Sequence, residues 1–94
     1  MNLTGAQVAV TGKLETMTLH ECLTLLNIIH AKPQSHVNRQ TNYLIVGTIR
    51  KNMFESPETT RLQLAKSYGA QIISEKDFLT WVIAYLEKMR QNIT

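Results

Sequence analysis

Cysteine is almost absent from this 94-residue chain: Cys22 stands alone, which excludes an internal disulfide framework and a multi-cysteine zinc site. Charge is sparse as well, at 18%, and ten Lys and Arg against seven Asp and Glu leave a net +3. Disordered chains carry fewer apolar residues and more net charge than this 44% hydrophobic composition, so a globular chain is expected. No apolar run approaches the ~20 residues needed to span a bilayer. The opening Met1-Asn2-Leu3-Thr4-Gly5 lacks the basic and apolar regions of a secretory signal, so an intracellular protein is expected. Internal repeats and low-complexity runs are missing. The length leaves room for one domain, expected to occupy 1–94, with a modest core.

The positive charge that is present is concentrated. Between residues 32 and 66, Lys32, Arg39, Arg50, Lys51, Arg61 and Lys66 face only Glu55 and Glu58, while the rest of the chain is slightly acidic. A basic middle suits an anionic partner, nucleic acid being the commonest; the alternative is a face of solvated lysines.

Ala6-Gln7-Val8-Ala9-Val10-Thr11 reads as a strand stopped by Gly12. Thr18-Leu19-His20-Glu21 is a capping box, opening a helix whose Leu19, Cys22, Leu23, Leu26 and Ile29 share one face and which ends near His30, before Pro33. Gln34–Val37 is a short strand candidate and Tyr43–Gly47 a strong one. After a polar connection over 48–57, Ser56-Pro57-Glu58 supplies an N-cap, a first-turn proline and an early acid. The helix that follows turns Leu62, Ala65 and Tyr68 inward and stops at Gly69. Gln71–Ser74 is a fourth strand. Ser74 and Asp77 begin a last helix with Phe78, Leu79, Val82, Leu86 and Met89 as its inward stripe, and Glu75 and Asp77 suit that helix start.

Alternation of this kind predicts an α/β fold: a four-stranded parallel sheet in order 2-1-3-4 with three helices on its two faces. The apolar strands at Val8–Val10 and Leu44–Val46 belong at the centre. The polar strand after Pro33 belongs on an edge.

These residues resemble a BRCT domain over roughly 2–86, with a helical extension to 94. The resemblance rests on Leu3-Thr4-Gly5, Val8-Ala9-Val10-Thr11-Gly12-Lys13-Leu14, Thr41-Asn42-Tyr43-Leu44-Ile45-Val46-Gly47, Arg61 with Ala65-Lys66 and Gly69, and Ile72-Ile73-Ser74-Glu75 with Phe78-Leu79. It is closest in look to the subgroup found in bacterial NAD-dependent DNA ligases, the replication factor C large subunit and polymerase III epsilon-type exonucleases. The resemblance implies a non-enzymatic module of DNA repair or replication, without cofactor or metal, that binds DNA ends carrying a 5′ phosphate, phosphorylated peptides or other proteins. It also implies a bacterial cytoplasmic, nucleoid-associated setting rather than a nuclear one. Two positions depart from the family. His30-Ala31 replaces its usual Gly-Gly, so that turn is expected to adopt another geometry. Leu19 stands where DNA-end-binding members carry an arginine.

The phosphate positions implied by the resemblance are Thr11, Gly12 and Arg61. Thr11 ends a central strand at the carboxyl edge, where ligands collect in open α/β sheets. Gly12 lets an anion approach its amide, and Arg61 brings a bidentate cation near a helix N-terminus. The alternatives are a plain turn for Thr11-Gly12 and a solvated cation for Arg61. Lys13, Arg39, Arg50 and Lys51 are candidate DNA-backbone contacts, and Trp81 is either core edge or a protein-interface residue. Cys22 reads as a packed small hydrophobe. His20, His30 and His36 share no metal-ligand spacing with it, and the glycines form no phosphate loop.

Overall fold

The computed structural model describes residues 1–49 and 60–93. Within them the chain forms β1 (Gln7–Thr11), α1 (Leu19–Ile28), β2 (Lys32–Pro33), β3 (Tyr43–Val46), α2 (Thr60–Tyr68), β4 (Gln71–Ser74) and α3 (Glu75–Gln91). The strands are parallel and lie in order 2-1-3-4, the α/β arrangement the pattern predicts. The connection at 48–57 and the Ser56-Pro57-Glu58 helix start lie mostly outside the described residues.

Side-chain alternation fixes which face each residue serves. Val8, Val10, Ile45 and Ile73 point into a core closed by Cys22 and Leu26 of α1, by Ile29 at its C-cap, and by Phe78 and Val82 of α3. Ala9 and Leu44 point the other way, onto Val37 and onto Leu62 and Ala65 of α2. Two helices therefore cover one face and one covers the other, and β1 and β3 are central because both their faces are buried.

The edge strand differs from expectation: it is Lys32–Pro33, not Gln34–Val37. The Lys32 amide donates to Ala6 O and the Gln34 amide to Val8 O, both at 2.8 Å. Alternate residues of a parallel strand donate to one neighbour, so the missing amide of Pro33 falls on the open side. Pro33 thus fits within the strand, while Val37 turns into the smaller core. Pairing between β1 and β2 stops at Val8, leaving the last residues of β1 with no strand on that side.

The capping box forms, with the Thr18 amide donating to Glu21 Oε1 (2.9 Å) and the Glu21 amide to Thr18 Oγ1 (3.1 Å). Cys22, Leu26 and Ile29 make the buried stripe, whereas Leu19, in the turn ahead of it, is exposed. The turn after α1 corrects a second expectation. His30 takes the left-handed conformation itself, at φ 61°. Its amide donates to Asn27 O (3.1 Å) and the Ala31 amide to Leu26 O (2.9 Å), so the helix closes as it would around glycine. Gly69 caps α2 in the same way, with φ 77° and the Ala70 amide on Ala65 O. Tyr68, at the end of α2, is exposed rather than inward.

On α3, Ser74 Oγ accepts from the Asp77 amide (3.0 Å). Phe78 and Val82 are buried, but Leu86 and Met89 lie on the surface. The reason is length. A helix of 17 residues runs about 26 Å, and the four-residue strand it covers about 13 Å.

Candidate functional site

All parallel strands deliver their carboxyl ends to one edge, and there the chain gathers polar groups that the core cannot use. Thr11 closes β1 opposite Val46 and is buried. Gly12 follows at φ 78°, and a Cβ there would lie 3.0 Å from both Gly47 C and Thr48 O. Gly47 is under a tighter limit, since its Cβ would meet Lys13 O at 2.5 Å. The two glycines let the exits of β1 and β3 cross backbone against backbone. Lys13 and Thr48 then exchange both amide bonds at 2.8 Å, which holds the exposed Lys13 beside the crossing.

Arg61 reaches this edge from α2. Its Nη1 donates to Val10 O and its Nη2 to Ser35 O, each at 2.6 Å. Val10 lies beyond the last β1–β2 pair, so its carbonyl has no strand partner on that side. The guanidinium fills the fork where β2 diverges and brings its charge to the residue preceding Thr11. Among the described residues no carboxylate neutralises it.

Across the sheet, Glu75 does the converse. Its carboxylate accepts from the amides of Glu15 (2.7 Å) and Thr16 (2.8 Å) and from Thr16 Oγ1 (2.5 Å), tying the β1–α1 loop to the first residue of α3. Burial acts to raise its pKa, but these three hydrogen bonds outweigh that and hold it below the ordinary 4.5. Sequence reasoning assigned Glu75 only to the helix start. The loop that it grips is reached through the fold, 60 residues away in sequence for Glu15, and no local pattern signals it.

The remaining candidates are dispersed. Arg39 is exposed in the turn closed by Asn38 and Thr41 (Thr41 amide to Asn38 O, 3.1 Å). That turn leads into Asn42, whose amide donates to Gln7 O at the start of β1, so Arg39 belongs to the amino edge and not to the Thr11 cluster. Arg50 and Lys51 lie outside the described residues. Trp81 is half-buried at the margin of the larger core, stacked on Tyr85 with centroids 5.5 Å apart, and its Nε1 donates to Met1 O (3.2 Å). With Asn2, Thr4, Tyr85 and Lys88 it lines a groove of about 480 Å³. Burial, with a lesser push from the Glu75 charge, raises the Cys22 thiol to about 11, so it packs as an inert hydrophobe. Among the described residues no cluster of His, Cys, Asp and Glu could hold a metal ion, and no helix is long and apolar enough to cross a membrane.

The fold and its carboxyl edge thus define a small α/β module with a cation, a buried threonine and a left-handed glycine drawn to one place. No family model matches the chain. Its sequence is similar to segments of proteins named DNA ligase. It is 36% identical over 80 residues to the DNA ligase of Thermotoga maritima, 35% over 78 residues to that of Legionella pneumophila (strain Corby), and 29% over 92 residues to that of Aquifex aeolicus. These alignments take in 85%, 83% and 96% of this chain but 10%, 10% and 12% of those proteins. The chain spans about a tenth of the length of the curated relatives it matches.

Proposed function

We propose that the chain is a single, non-enzymatic BRCT-like module of DNA repair or replication, working in the cytoplasm, that binds DNA through a phosphate held by Thr11, Gly12 and Arg61. Ends carrying a 5′ phosphate are the preferred ligand. The observation that supports this most is the hydrogen bond from the Arg61 guanidinium to Val10 O, which sets a cation one residue from Thr11 and two from the glycine turn. A guanidinium holding two carbonyls retains donors for an anion. Lys13 adds charge beside the turn. The similarity to segments of DNA ligases favours a DNA-related role. Ligation itself is not attributed to this segment, whose described residues offer no nucleophile–base pair.

The test is a fluorescence-anisotropy titration of one labelled duplex, with and without its 5′ phosphate, at low and moderate salt. Tighter binding of the phosphorylated duplex is expected, with log affinity falling by about 0.9 per phosphate neutralised for each tenfold rise in salt. Lys13→Ala weakens both duplexes alike, and Arg61→Ala, checked by circular dichroism for retained fold, removes the preference. Equal affinity for the two duplexes overturns the phosphate reading. Absent binding leaves the chain a protein or phosphopeptide module.

A further inference from the structure

The loop that joins β1 to α1 begins in the candidate phosphate site and is gripped further along by α3. Gly12 is its first residue, and the amides of Glu15 and Thr16 are held by Glu75. Between them stand Lys13, bonded to Thr48 in both directions, and Leu14, which is buried. Thr48 Oγ1 also donates to Glu15 Oε1 at 3.3 Å. Residues 12–16 are therefore fixed by the end of β1 on one side and by a carboxylate on the other.

A glycine needs such fixtures more than any other residue, because its backbone has the most freedom to lose. Gly12 sits at φ 78°, and its amide serves an anion only if it is aimed before the anion arrives. The carboxylate is an odd choice on other grounds. A negative charge at an edge that receives phosphate repels it. The start of α3 already has the Ser74 cap and the first-turn acid Asp77 without it. What Glu75 adds is three bonds to the loop, at 2.5–2.8 Å, which turn the amides of Glu15 and Thr16 onto an internal anion rather than an external one.

We propose that Glu75 is a positioning residue for the phosphate site, holding the β1–α1 loop in the course that presents Gly12 beside Thr11 and Arg61. The inference rests on the phosphate reading and adds to it a residue that touches no ligand. Positioning and charge predict opposite signs. Glu75→Gln removes a negative charge, which on charge alone raises the preference for a 5′ phosphate. The amide it introduces meets the loop's donors with donors of its own, so the loop loosens and the preference falls.

The readout is the ratio of affinities for one labelled duplex with and without its 5′ phosphate, measured by anisotropy at one moderate salt concentration. The ratio is expected to fall at least about fivefold in Glu75→Gln, the low end of ordinary coupling between sites. Thr16→Val deletes one of the three bonds, keeps the charge, and lowers the ratio by a smaller factor. Val82→Ala truncates the core on the same helix and leaves the ratio unchanged while lowering stability. Circular dichroism identifies the folded variants, and Thr16→Val decides alone where Glu75→Gln is unfolded. A wild-type ratio of one overturns the phosphate reading and this inference with it. A clear wild-type preference that Glu75→Gln keeps or raises overturns this inference alone, and so does an equal loss in Val82→Ala.

Discussion

Two helices send a charged side chain from their first turns back to the carboxyl edge of the sheet, and the two solve opposite problems. Glu75 of α3 accepts from the amides of the β1–α1 loop, and Arg61 of α2 donates to the carbonyls of Val10 and Ser35. A carboxylate at a helix N-terminus is favoured by the helix field, and a guanidinium there is opposed by it. The acid takes three donors from inside the protein on its two oxygens. Among the described residues the cation meets two carbonyls and no carboxylate. Among the described residues a closed clamp and an open one therefore flank the same edge, and the open one is the group on which the proposed phosphate site draws.

Removing the closed clamp has the largest expected effect. Glu75→Ala leaves two amides and a hydroxyl of the β1–α1 loop without their acceptor and is expected to lower stability by about 3 kcal/mol in urea unfolding. Its sign with pH follows from the hydrogen bonds that depress its pKa. The stabilisation is complete above the ordinary glutamate value of 4.5 and drains away as pH falls through the lower folded value. Wild type should lose melting temperature in that acid window while Glu75→Gln stays flatter. A variant that tracks wild type across the window would show that the loop is held by something else.

The open clamp should yield less stability and more function. Arg61→Ala gives up two charge-assisted hydrogen bonds at a partly exposed site, an expected loss of about 2 kcal/mol. Arg61→Lys keeps the charge, can hold one carbonyl and is expected to lose about 1 kcal/mol. The comparison with Glu75 sharpens if Arg61→Lys also retains part of the preference for a 5′-phosphorylated duplex. Unchanged stability of Arg61→Ala would break it, because the guanidinium would then hold neither carbonyl to any purpose.

Much of this fold was legible in the sequence because its signals are local. The capping box at Thr18, Gly69 as a helix stop and the doubly buried Val8–Val10 and Leu44–Val46 all act through near neighbours or simple periodicity. What escaped reading depends on where chains end in space. The periodicity of α3 continues through Leu86 and Met89, but the strand beneath it does not, so a stripe that reads as core becomes surface. Pro33 marks an edge strand correctly, yet only the amides on either side of it reveal that it sits within that strand. The candidate site was legible in part: Arg61 is drawn to the edge of Thr11 and Gly12, but Arg39 is carried to the opposite edge by the turn before Asn42. The carbonyls that Arg61 grips, and the loop that Glu75 grips, lie 26 to 60 residues away in sequence, beyond any pattern of spacing.

At the amino edge a helix end is held without any charged side chain, and it supplies the mildest test. The turn after α1 is closed by the His30 and Ala31 amides and by His30 O, which accepts from the Gly5 amide at 2.8 Å. The backbone bonding is satisfied, so the only defect is the Cβ of His30 at φ 61°. A side chain in the left-handed region costs about 1–2 kcal/mol, and glycine gives back part of that through its larger unfolded-state entropy. His30→Gly is therefore expected to raise stability by roughly 0.5–1 kcal/mol, seen as a higher urea midpoint with unchanged slope. His30→Ala, which keeps the Cβ, should not gain. Equal behaviour of the two variants would mean that the imidazole, rather than the backbone, sets the energy of this turn, and the contrast between side-chain clamps at one edge and backbone closure at the other would fail.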